Sequence, residues 1–257
     1  MTTNALSEED LRSGSKSAYF WLTFSCLAVA VLGFLPTYWL TLARGSLQAH
    51  PLIHMHAAAF YGWCGFLVFQ AWLVMQGRTP AHREWGMAGI SLATLVFVLG
   101  VLTAIHAGAR GTAAGFGDGM RAFLIIPISS IVTFAAFVAV AIMNVRRPEA
   151  HRRYMLGATA IMLGAPVARW FLVLLAPPLA PGAVPPPPPV ELAMLAGGIG
   201  LAPLLAALIV EWRGKGAPQR DTLGVLAVSV AVLLACAPIS RTEAWQSVAG
   251  ALIGLAG

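Results

Sequence analysis

Apolar positions gather into seven runs of bilayer-spanning length, roughly 18–41, 52–76, 86–107, 121–144, 154–176, 191–212 and 222–240. A helix needs about 20 mainly apolar residues to cross the hydrocarbon layer. The pattern predicts an all-α integral membrane protein with seven transmembrane helices. The polar segment 1–17 precedes the first run, and the last residues, 241–257, form an apolar tail too short to span, expected at the interface. Between runs five and six lies a proline-rich loop, 177–190, whose consecutive Pro185 to Pro189 favour a stiff polyproline II strand. It reads as a rigid spacer or as a docking strand for a partner subunit. The glycine-rich stretch 107–119 matches no phosphate-binding pattern and reads as a flexible connector.

One motif occurs twice. Arg78, Ala81-His82-Arg83 and Trp85 recur as Arg147, Ala150-His151-Arg152 and Tyr154, at an offset of 69 residues. Each copy joins two spans at the same membrane face. Hairpins 52–107 and 121–176 therefore share an orientation, which suggests a parallel duplication about an axis near the membrane normal. The expected core is a four-helix bundle from these two hairpins, with runs one, six and seven outside.

Composition narrows the class. The chain has 257 residues, 58% hydrophobic and 10% charged, against about 25% charged in soluble domains. This excludes an ordinary soluble enzyme, a disordered chain and a disulfide scaffold. The net charge of +6 would raise nucleic-acid binding in a soluble protein. Here the basic residues sit between apolar runs, so no nucleic acid is expected, and anionic lipid of the bilayer is the electrostatic partner. Eleven Lys or Arg fall on the N-terminal side of the topology and four on the other, with Arg169 inside a run. That bias places the N-terminus in the cytoplasm and the C-terminus in the periplasm of a bacterial inner membrane. No secretory signal is read at the start, and Leu22 to Cys26 make a poor lipoprotein box. Cys26, Cys64 and Cys236 lie in apolar runs and read as packing residues.

All six histidines cluster at two depths. His50, His54, His56 and His106 lie at the outer ends of runs two and three; His82 and His151 are the repeated inner pair. His50 and His54 share a face if the helix starts early enough, whereas His54 and His56 diverge by about 200° on a helix. Converging neutral imidazoles suit copper, zinc or haem iron. Histidines at helix ends also serve simply as interfacial groups. His56, Trp63 and Gln70 form one stripe, read as a polar interior line or as a pocket wall. For the inner pair, Arg83, Arg152 and Arg153 would neutralise haem propionates, or else only satisfy the orientation rule. Arg169 lies about 10 Å from the outer end of its run. It reads as a functional cation or as a snorkelling one, with Glu191 as its candidate partner and Pro166 kinking the helix beside it.

Several chemistries lack their residues. No lysine lies in the last two runs for a retinal Schiff base, and no His-Glu-x-x-His or nucleophile elbow is present. On His54-Met55-His56, Ala81-His82-Arg83, Arg147 to Arg153 and Ala168-Arg169, the chain resembles a loosely defined group of uncharacterised bacterial multi-pass inner-membrane proteins. It is also distantly similar to b-type transmembrane cytochromes and to membrane proteins of oxidase maturation. That resemblance implies haem b ligated by histidines, but run four lacks the histidine a diheme pattern requires. The leading expectation is a redox-associated membrane protein holding haem b or copper. The outer site would use His54 or His56 with His106 near Arg169, and the inner site His82 with His151. The alternatives are a cofactor-free structural or assembly subunit that joins other membrane protein subunits, and a small-solute transporter with Arg169 at its site. Gly197-Gly198-Ile199-Gly200 would allow close helix approach.

Overall fold

A computed structural model describes residues 8–175 and 183–256 of the chain. Among these residues the protein is all-α, and seven helical spans are long and apolar enough to cross a membrane. In chain order the helices are α1 (Glu8–Gly33), α2 (Leu40–Ala43), α3 (Pro51–Met75), α4 (Thr79–Gly111), α5 (Gly117–Phe123), α6 (Ile125–Met143), α7 (Pro148–Ala160), α8 (Gly164–Leu175), α9 (Val190–Gly200), α10 (Ala202–Lys215), α11 (Arg220–Ser240) and α12 (Glu243–Gly254). The spans are α1, α3, α4, α6, α7–α8, α9–α10 and α11. Only 28–44% of each span's apolar window is buried inside the protein, so large apolar side chains such as Leu32, Met87 and Leu195 face outward. Bilayer is the solvent that tolerates such a surface.

Prolines account for the breaks within spans. A proline lacks the N–H that would bond the carbonyl four residues earlier. The helix accordingly loosens or tightens ahead of Pro36 (a π-turn at Leu35–Trp39), Pro127 (a break at Leu124), Pro166 (a 3₁₀ turn at Ile161–Leu163) and Pro203 (a break at Leu201). The expected disturbance ahead of Pro166 is among these.

The core centres on the fifth span. α7–α8 packs against α1, α6, α9 and α11, and the Trp63 indole on α3 donates to Thr159 Oγ1 at 3.0 Å. Leu156, Ala158, Ala160, Ile161 and Leu163 are buried there with Cys26 and Ala30 of α1, Leu204 of α10 and Val225 of α11. The core therefore extends beyond spans two to five, to which the sequence pattern had confined it. Small residues permit this. A Cβ on Gly200 would stand 2.7 Å from the backbone nitrogen of Gly164, so α8 and α9 meet backbone to backbone. The glycine stretch at 197–200 thus serves an internal contact.

The glycine-rich stretch departs from expectation, and the C-terminal tail takes a defined place. The glycine-rich stretch 107–119 is helical on both sides of a reversal at Gly115, whose φ of 93° favours glycine. The C-terminal tail folds into α12 and docks on α4 and α5. Thr242 caps it, Ala249 is buried, and the Trp245 indole donates to the Arg121 carbonyl at 2.8 Å. In the proline loop, Pro177, Pro178 and Pro181 lie outside the described residues. Pro189 has φ −50° and ψ 141°, near polyproline II values.

The glycine contact gives a direct test. Gly200→Val should lower the thermal stability of the detergent-solubilised protein sharply, because backbone must move. Gly198→Val, which has nothing within 4 Å, should leave it unchanged. Equal behaviour of the two variants in a thermal melt would refute the close approach of α8 and α9.

Candidate functional site

The deepest charges sit at the end where α1 enters the bundle, here the basic end. Arg153, in the second turn of α7, is 2% exposed. Its Nε donates to Glu211 Oε1 at 2.6 Å, one terminal nitrogen donates to Glu149 at 2.8 Å, and Asp221 stands 3.9 Å from the other. Glu211, near the end of α10, is also buried. It accepts from the Tyr19 hydroxyl at 3.2 Å, from Thr222 at 2.7 Å and from the Gln219 backbone at 3.4 Å. The Arg152 guanidinium covers the Tyr19 ring at 4.0 Å. The network joins α1, α7, α10 and α11. The donors to Glu211 occupy both of its carboxylate oxygens and fix the side chain in place.

In the sequence Arg153 reads only as a propionate partner or as a charge of the basic loop, and Glu211 is not among the expected site residues. Glu211 carries the available signal, a carboxylate set directly after the apolar Ile209-Val210 inside a span.

The inner histidines are brought together. His82 in the first turn of α4 and His151 in the first turn of α7 have ring centroids 6.2 Å apart, nearly perpendicular. His151 Nδ1 donates to the Ala141 carbonyl at 2.9 Å, so in a neutral ring Nε2 is the nitrogen with the lone pair. His82 Nδ1 and, on the neighbouring α3, Gln70 Oε1 are buried without partners. Two imidazoles in this state suit a shared soft ion or haem iron. The expected propionate partners fit less well: Arg153 is bound to Glu149 and Glu211, and Arg152 to Glu149 at 2.7 Å.

The outer histidines diverge. His50 is not helical but caps α3, with ψ of 143°, and its Nδ1 accepts from the Leu52 backbone at 3.2 Å. It therefore shares no helix face with His54. Its ring lies 4.7 Å from that of His106, beside a cavity of about 400 Å³ lined by Gln48, Ala49 and Arg110. His54 Nδ1 instead meets the Tyr38 hydroxyl at 3.0 Å. His56 turns to α4, with Cε1 3.7 Å from where a Cβ on Gly100 would stand. Among the described residues no three His, Cys, Asp or Glu converge as a metal-binding group. In the stripe below His56, Trp63 and Gln70 are buried in the interior.

Arg169 lies on the exposed side of α8, its guanidinium 5.6 Å from the Phe34 ring centroid. Glu191, its expected partner, pairs with Arg241, because both lie at the rim where α9 starts and α11 ends. Cys26, Cys64 and Cys236 are free and buried. Compared with family models, curated proteins and solved structures, the chain has no significant match to any of them.

Tyr19→Phe and Thr222→Val each remove one hydrogen bond to the buried carboxylate. Each should cost about 1.5–3 kcal/mol, read as a lowered midpoint of thermal unfolding in detergent. Melts that match the wild type would show that Glu211 does not depend on these donors.

Proposed function

We propose that the chain is a structural or assembly subunit of a larger bacterial inner-membrane complex, with its basic end in the cytoplasm. The observation that supports this most is the closed Arg153–Glu211 network. The most deeply buried charges of the bundle are satisfied by one another and by their own helices. Such an interior holds spans in place. The groups left for partners lie at the two ends and on the apolar outside, with the proline strand leading into α9 as a stiff contact element. In this reading hairpins α3–α4 and α6–α8 are two copies of one ancestral unit, and the repeated Ala-His-Arg motif marks equivalent corners.

A second reading has its own support. The His82–His151 pair, at 6.2 Å with one buried unpartnered nitrogen, suits haem b or a copper ion between the two hairpins. The chain would then be a redox-associated subunit.

The two readings separate in one preparation. Membranes from haem- and copper-replete cells, solubilised gently, should yield the chain in an assembly well above its own 27.0 kDa on native electrophoresis, unchanged by His54→Ala. Migration as a single chain in the mildest detergent that extracts it would contradict the subunit reading. A b-type α-band in the reduced-minus-oxidised spectrum, lost in His82→Ala and His151→Ala, would establish the second reading.

A further inference from the structure

Toward the end opposite the network lies a charge, Arg169, that has no ion-pair partner among the described residues. Pro36 leaves the Leu32 carbonyl without its helical donor, and the Trp170 indole supplies one at 3.0 Å. The backbone widens into the π-turn, where the Trp39 amide reaches back to the Phe34 carbonyl at 3.3 Å. Such turns spread side chains that a regular helix would stack. Phe34, Tyr38 and Trp39 accordingly surround Tyr61 of α3, with ring centroids 6.3, 6.4 and 4.9 Å from its own. Arg169, one residue before the bracing Trp170, places its guanidinium beside Phe34 and within electrostatic reach of Tyr61.

Three polar atoms in or against this turn are buried without a hydrogen-bond partner: Thr37 Oγ1, Trp39 Nε1 and Tyr61 OH. The last two lie beside each other. Among the described residues, no carboxylate reaches Arg169, and Glu191 is held by Arg241. A guanidinium does not shed its proton, and a charge in a span calls for an opposite charge or for water. The Phe34 face offers a cation–π contact, which is weaker than an ion pair. The region therefore combines one cation, unsatisfied N–H and O–H donors and aromatic walls, with Arg169 and Trp170 open to the lipid side. An oxyanion with several acceptor oxygens satisfies all of these, and Arg matches phosphate in a forked geometry.

We propose that Arg169, Trp39 and Tyr61 form a binding site for a phosphate group that enters from the side of the bundle. Its membrane source is a phospholipid headgroup. Its aqueous source is inorganic phosphate or a soluble phosphate ester. The inference is independent of the subunit reading, because it needs no second protein.

Thermal unfolding in a phosphate-free sugar detergent tests it with three additives: dihexanoyl phosphatidylglycerol, inorganic phosphate and a sugar detergent of matched chain length. The wild type should be stabilised by the phospholipid and not by the matched detergent. Arg169→Gln should weaken that response about tenfold or more in concentration, and Arg169→Lys should retain part of it. Arg169-dependent stabilisation by inorganic phosphate of equal size would assign the site to the aqueous source. The proposal is overturned if Arg169→Gln responds like the wild type, if the matched detergent stabilises equally, or if no additive acts, in which case Arg169 only snorkels. Should Arg169→Gln fail to fold by circular dichroism, Tyr61→Phe carries the same comparison.

Discussion

The buried pair of Arg153 and Glu211 is the constraint on which the arrangement of spans depends. Two charges removed from water are tolerable only while both remain and their other polar atoms are satisfied. Here that condition fixes four spans at once, since the donors come from α1, α7 and α11 and the acceptor from α10. Neither α7 nor α10 can shift by a turn without stranding a charge, and a shift of α1 or α11 removes a donor to the carboxylate. Apolar contacts alone would not fix the register, because lipid competes for the same surfaces. The small residues around Gly164 and Gly200 then let the fixed helices approach closely, and the fifth span becomes the centre of the bundle.

The two ends of the molecule follow opposite rules. At the basic end the charges close on each other, and the two repeated histidines stand beside that closed network. At the other end prolines open the backbone, and only some of the freed groups are answered from within. The Leu32 carbonyl is satisfied by Trp170, whereas Trp39 Nε1 and Tyr61 OH are buried without a partner and the Arg169 guanidinium has the Phe34 ring beside it. The bundle is closed at its basic end and has unanswered polar groups toward the opposite end.

The seven spans were legible because hydropathy over some twenty residues is a property of composition, independent of partners. The meeting of His82 with His151 was legible through the repeat, which fixes equivalent corners without a structure. Other features depend on one local conformation or on distant residues. His50 leaves the helix face because Pro51 opens α3 and makes His50 its cap, which sends it toward His106 and away from His54. Arg153 and Glu211 are 58 positions apart, and no periodicity links them. The glycines at 108 and 111 read as a loop, yet they lie in α4, where Ile253 and Met120 pack in the space side chains would take.

The most direct measurement is a double-mutant cycle at the central pair, following reversible unfolding of Arg153→Met, Glu211→Leu and the combined variant in mixed micelles. The account predicts that each single change costs about 3–5 kcal/mol, because it strands a buried charge. The combined variant should lose much less than the sum. Additive losses, or single variants as stable as the wild type, would show that the pair does not hold the bundle together.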